Sequence, residues 1–306
     1  MARYLDPKHD LIFKRIFGEN KDLLLSFLNA LMPFDSGCYI QYLEYLPTEQ
    51  VPENPAKKNS IVDVKCIDNY GRQFIVEMQM FWSELFNYRL VFNATKAYSR
   101  QLGKGDDYKL LQPVYGLGII NDVFDKVTDK FYHHYQTINK ENTDEVIKGL
   151  EFVLIELPKF KPESWADRRM AVLWLRFLKE VESFTEHVSS DLTDNDEISK
   201  ALTICAEAAF TTAELEAYDN YWDYIRTERG LVSFAKSEGL AEGRQEGLAE
   251  GRQEGRQKGL AEGRQEGRQE RDREIVLNAT KSGATVEQIH AFTGISKELI
   301  IEILRG

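Results

Sequence analysis

The chain has 306 residues, 42% of them hydrophobic, and its 50 acidic against 39 basic side chains leave a formal charge of -11 at pH 7. That length and apolar content are enough for one large or two ordinary globular domains with a substantial core. The acidic balance excludes a protein that coats nucleic acid non-specifically, but it leaves room for an enzyme with a local basic groove.

The opening MARYLDPKHD carries no apolar run of the signal-peptide kind, and no stretch reaches the ~18 apolar residues of a membrane span. A soluble cytoplasmic protein is expected. Cys38, Cys66 and Cys205 are odd in number and far apart, which reads as buried small hydrophobes rather than a disulfide framework or zinc site.

In chain order, residues 10–32 place Phe13, Phe17, Leu24, Phe27, Leu28 and Leu31 at helical spacing, with a break near Gly18. CYIQYLEYL (38–46) is strand-like, and a Pro-marked loop follows from Pro47 to Pro55. IVDVKCIDNYGRQFIVEMQM (61–80) reads as a β-hairpin, residues 83–102 return to helical spacing, and LQPVYGLGII (111–120) is an apolar strand. YHHYQTIN and EFVLIELPKF add edge strands, and the adjacent His133 and His134 point to opposite faces and read as surface residues. This order implies an α/β core of sheet against helices. From about 163 the pattern turns helical, through WADRRMAVLWLRFLKEV, DEISKALTICAEAAF and ELEAYDNYWDYIR.

Glycine then recurs every fourth position from Gly239 to Gly267. On a helix this repeat makes rows of Gly, of Glu and of Arg or Leu, with few useful intrahelical ion pairs. Each glycine costs the helix about 1 kcal/mol, so the repeat is either a solvated spacer or a helix stabilised by self-association through residues 237–274. In the end piece, Gly283 closes one helix, Thr285 with Gln288 forms a capping box, and Gly294 with Ser296 breaks and restarts the chain. The piece is helix-turn-helix-like, yet its acidic and basic residues balance, so it reads as a DNA contact or as a packing element. The expected divisions are 1–160, 161–236, 237–274 and 275–306.

The hairpin raises a chemical question. A three-residue loop of Asn69, Tyr70 and Gly71 sets Asp68 opposite Arg72 and therefore Asp63 opposite Glu77. Val62, Val64, Cys66, Phe74, Val76, Met78 and Met80 then share one face, while Asp63, Lys65, Gln73, Ile75, Glu77 and Gln79 share the other. Two carboxylates placed face to face destabilise a ladder unless something offsets them. The candidates are a divalent cation held by both, or a diagonal salt bridge from Lys65 to Glu77.

Asp63 followed by Glu77 and Gln79 on the adjacent strand resembles the PD-(D/E)XK nuclease superfamily, with Gln in the position usually held by Lys. More specifically, DLIFKRIFG, VDVKC, FIVEMQM, YRLVFNATKAYSRQL and GKGDDYKLLQPVYGLGII in this order resemble the transposases and recombination-promoting nucleases built on that fold. The resemblance covers roughly residues 4–160 and implies a restriction-endonuclease-like core, a mixed sheet flanked by helices. It further implies a DNA endonuclease needing magnesium or manganese, with Asp63 and Glu77 as metal ligands and Gln79 orienting water or a phosphate oxygen. Asp10, Lys14, Lys65 and Arg89 are accessory candidates. The competing reading is a catalytically decayed core that serves as a self-associating assembly protein; a DNA-degrading defence effector would share the chemistry.

Overall fold

A computed structural model of the chain describes residues 3–305 except 36, 51–59, 166–167 and 184, so part of the Pro-marked loop lies outside the described residues. The chain forms two compact units, Met1–Tyr221 and Trp222–Gly306.

The first unit begins with α1 (Asp10–Phe13), a single turn capped by His9. Burial holds the His9 imidazole down at about 4, and the neutral ring accepts the Leu11 N–H through Nδ1 at 3.1 Å. The chain then widens into a π-helical turn, Lys14–Gly18, before α2 (Lys21–Leu31), which is the break anticipated near Gly18. Phe13, Phe17, Phe27 and Trp174 meet in series, two tilted contacts and one edge-to-face, at ring separations of 4.8, 4.3 and 5.6 Å, the aromatic centre of this helical layer.

The strands are β1 (Leu43–Tyr45), β2 (Glu49–Gln50), β3 (Ser60–Ile61), β4 (Val64–Asp68), β5 (Gln73–Gln79), β6 (Val114–Ile120), β7 (Tyr132–Ile138) and β8 (Val146–Glu156). Six of them form a mixed sheet in the order β1-β4-β5-β6-β8-β7, with β5, β6 and β8 parallel and the outer pairs antiparallel. The strand expected over 38–46 is confined to three residues. Upstream, the Asn29 side chain on α2 takes both backbone groups of Ile40, at 2.7 and 2.9 Å, and leaves nothing for a ladder. β8 corrects a second expectation: of the two strands expected at the edge it lies inside the sheet, and β7 alone of the pair is an edge. Its run Val153, Leu154 and Ile155 is buried on both faces, as an interior strand must be.

One face of the sheet is covered by α3 (Glu84–Ser99), which sets Phe86, Leu90, Ala94 and Ala97 against Ile75, Val114, Ile120 and Leu154. Gly116 and Gly118 on β6 make that approach possible. A Cβ at Gly118 would stand 2.9 Å from Leu154 and 3.0 Å from Phe86, and one at Gly116 would stand 2.8 Å from Phe152. The other face meets the π turn and α2, over which α4 (Arg169–Glu180) and α6 (Asp196–Cys205) pack, with the short α5 (Ser190–Thr193) between them.

The N-terminal segment is held within this helical layer. Leu5 N–H donates to Cys205 O at 2.8 Å, and the buried Lys8 ammonium reaches Asp6 at 2.9 Å and Leu178 O at 3.0 Å. The first turns of α7 (Thr212–Lys281) complete the unit, with buried Tyr218 accepting the Asp6 N–H at 2.9 Å. Of the segment 161–236, the part through Tyr221 therefore packs with the sheet and its helices.

In the second unit α7 runs on as one helix through the whole glycine repeat, and a Cβ at any glycine from Gly239 to Gly267 would meet nothing within 4 Å. α8 (Val286–Thr293) and α9 (Lys297–Arg305) follow. Val276, Ile289, Ile295 and Ile300 make a small core there, with the Thr285–Gln288 capping box formed and Gly294 closing α8 at φ +73°. No described helix is long and apolar enough to cross a membrane.

Candidate active site

The hairpin is built from its turn. Asp68 N–H donates to Arg72 O at 3.0 Å, Gly71 sits at φ +80°, and Asp68 Oδ1 accepts the N–H of Tyr70 and of Arg72, each at 2.9 Å. Only glycine reaches that φ without strain, which pins the three-residue loop. The ladder then runs from Ile67↔Gln73 to Val64↔Val76, the register anticipated from the apolar alternation. Arg72 closes on Asp68 at 2.7 Å and is removed from the carboxylates further along.

At Asp63 the strand stops. β4 begins at Val64, and in place of a backbone bond the Asp63 carboxylate accepts the Met78 N–H at 2.8 Å. The strict alternation ends with it. Val62 packs with Ile75, Phe86 and Leu90 under α3, not with Val64 on the opposite face as the pattern predicted. The face carrying Ile75 and Glu77 is itself covered by α3, so both faces of the hairpin are interior.

Glu77 is buried at 3% exposure among polar groups from α3. Arg89 Nη2 donates to Glu77 Oε2 at 3.1 Å and to Gln79 Oε1 at 2.8 Å, and Asn93 Nδ2 donates to Glu77 Oε1 at 3.1 Å. Lys14, the first residue of the π turn, bridges Asp10 at 2.7 Å and Asp63 at 3.6 Å. The structure thus gathers Asp10, Lys14, Asp63, Glu77, Gln79 and Arg89 in one corner. It does not bring Lys65 to Glu77: in place of the diagonal salt bridge that was one of the two candidates, Arg89 pairs with Glu77, because Lys65 lies toward the far end of α3. There burial, with the charges of Arg100 and Lys96, holds its ammonium below the usual lysine value.

The electrostatics follow from this packing. Burial, then the neighbouring Glu77 charge, pushes Asp63 up to about 7, against the Met78 N–H and Lys14. Burial also raises Glu77, although Arg89 and Asn93 act to lower it. Lys14 resists its own burial through the Asp10 hydrogen bond and the Asp63 charge, and ends above the ordinary lysine value. The corner therefore holds carboxylates short of counter-charge, beside one amine that stays cationic.

Sequence reasoning missed Asn93. The legible signal was its place, four residues after Arg89 and within the buried stripe Phe86, Leu90, Ala94 and Ala97, where a polar side chain needs a partner. Its Oδ1 has no hydrogen-bond partner among the described residues. The histidine pair also differs from a surface reading. His133 meets the fully buried Glu156 at 3.0 Å, while His134 meets Glu151 at 3.0 Å. The opposite faces were anticipated; the buried carboxylate at the end of β8 was not.

Among the described residues, no three of His, Cys, Asp or Glu are grouped as a metal cage. The residues nonetheless fit a hard cation. Asp63 and Glu77 are oxygen donors whose charges repel one another, and a magnesium-like ion is often held by just one or two carboxylates with water and phosphate completing its shell.

Residues 7–233 match the family model described as PD-(D/E)XK nuclease family transposase, a span that contains every residue of this corner. No curated protein and no solved structure matches the chain.

Proposed function

Because the chain belongs to the family of PD-(D/E)XK nuclease transposases, we propose that it is a DNA endonuclease that hydrolyses phosphodiester bonds at the Asp63–Glu77 corner. The observation that carries this reading is the pair of desolvated carboxylates from adjacent strands, with Asp63 pushed up to about 7, beside the cationic Lys14. A structural charge cluster would be expected to neutralise itself; this one is left short of positive charge, which favours a site completed by a cation.

Asp63 and Glu77 would hold magnesium or manganese, which when bound supplies charge stabilisation at phosphorus and a water that ionises near neutral pH. The chain's own residues do the rest. The Met78 N–H fixes Asp63, and Arg89 with Asn93 fixes both oxygens of Glu77, so neither carboxylate reorients during the reaction. Gln79 stands where the superfamily usually has Lys, and a neutral amide supplies no positive charge. Lys14 reaches the same corner from the π turn and supplies that charge to a phosphate oxygen. Arg89, half-exposed and shared between Glu77 and Gln79, takes a second phosphate oxygen. The link to transposition comes with the family; cleavage is the step these residues support.

The test is plasmid nicking by purified full-length protein with magnesium, manganese or chelator, against Asp63→Asn. The amide keeps the oxygen that accepts the Met78 N–H, so the fold is retained. Metal-dependent nicking lost in the folded variant is the expected result. An inert wild type, or a variant that still cuts, overturns the proposal.

A further inference from the structure

α3 carries two rows of side chains that extend beyond the chemistry above, which uses only Arg89 and Asn93. Arg89, Asn93, Lys96 and Arg100 are spaced i, i+4, i+7 and i+11, and at 3.6 residues per turn they form one row along the helix. Its first members hold Glu77 and Gln79. At its other end Lys65 comes up from β4, where burial first, and then the nearby charges of Arg100 and Lys96, hold its ammonium below the ordinary value. A chain of formal charge -11 thus concentrates four cations on one line leading from its carboxylate corner.

The adjacent row is aromatic and turned to solvent. Tyr88 and Phe92, at i and i+4, are 71% and 41% exposed. Lys96 Nζ lies 5.4 Å from the centroid of the Phe92 ring, so the two rows touch. An aromatic pair left bare beside a row of cations is the arrangement that unpaired nucleic acid uses: phosphates follow the cations, and bases stack on the rings. A duplex keeps its bases stacked on one another and offers the rings only its backbone. From Arg89 to Arg100 the row is about 16 Å long, at ~1.5 Å per residue, enough for several nucleotides.

We infer that the outer face of α3 is a track for an unpaired DNA strand, with Arg89, Lys96 and Arg100 on its phosphates and Tyr88 and Phe92 on its bases. This deepens the nuclease reading and rests on it: the strand that reaches the carboxylates is a single-stranded or frayed one.

The experiment measures binding apart from cleavage. Full-length Asp63→Asn protein is titrated against a fluorescent mixed-sequence single strand and against the same strand annealed to its complement, read by anisotropy. Preference for the single strand is expected. Adding Tyr88→Ala with Phe92→Ala weakens single-strand binding about ten-fold or more and leaves duplex binding within about two-fold. Lys96→Gln with Arg100→Gln weakens both and flattens the salt dependence. These side chains lie on the outer rows of α3, and circular dichroism checks that each variant is folded. Unchanged single-strand binding in the aromatic variant, or equal loss for strand and duplex, overturns the track. Nicking by the wild type together with that result overturns the track alone; a track that behaves as expected in a chain that never nicks overturns the nuclease reading alone.

Discussion

The carboxylate corner and the glycine repeat both gather charged side chains, and they treat charge in opposite ways. In the corner, the two facing carboxylates are each fixed by groups distant in sequence: Asp63 by Met78 and Lys14, Glu77 by Arg89 and Asn93. In the repeat, Glu and Arg recur along a helix whose side chains from 231 to 270 are exposed to water. Charge that stays in water costs little and does little. Charge taken out of water must be paired, protonated or neutralised by something that binds, and that need is what singles out the corner.

The largest effect expected to sharpen this contrast is on activity. Glu77→Gln should lower nicking by about a hundred-fold or more, because it removes one of the two carboxylates that would hold the metal. Changing Glu250→Gln in the repeat should leave the rate within about two-fold. Equal losses at the two positions would erase the distinction.

Glycine gives the next contrast. Gly118→Ala drives a Cβ into Leu154 and Phe86, and should destabilise the protein by about 1–3 kcal/mol in urea unfolding. Gly251→Ala, with open space around it, should instead stabilise its helix by up to about 1 kcal/mol. The same substitution should thus have opposite signs in the two units, read for the second by helical circular dichroism on heating.

The third is a pH dependence. The Asp63 carboxyl titrates at about 7 in the folded chain against an ordinary 3.8, so the folded state binds its proton more tightly than the unfolded one. Its favourable contribution is complete below about pH 4 and is lost as pH rises through 7. Metal-free wild type should therefore lose stability between pH 5 and 8 relative to Asp63→Asn, by about 1–2 kcal/mol. Magnesium should restore it. Parallel stability curves for the two proteins would show that Asp63 does not carry a raised carboxyl. The smallest effect is expected at Asn93→Asp: a further carboxylate against Glu77 should weaken the fold above neutral pH and tighten magnesium binding, measured by calorimetry.

Much of this was legible before any tertiary structure. The loop Asn69–Gly71 and the alternation of Val64, Cys66, Phe74 and Val76 gave the hairpin register, because a one-residue slip would turn the apolar set to the wrong face. Period-3.6 patterning located α2, α3 and α4, and turn chemistry located the caps at Thr285 and Gly294. Local rules failed where a distant group replaced a local one. Val62 left its predicted face because Asp63 took the Met78 N–H and ended the strand; Ile40 left its strand because Asn29 took its backbone groups.

By itself, then, the sequence determined most of the elements, the hairpin register and the approach of Asp63 to Glu77, all consequences of short-range sterics and of apolar periodicity. Only the tertiary structure decided which cations reach the pair. Lys65, two residues from Asp63, goes to the far end of α3, while Lys14 and Arg89 arrive from a π turn and from the helix that two β6 glycines allow to approach. Charges act through space at a few ångströms, and the chain's fold, not its order, sets those distances.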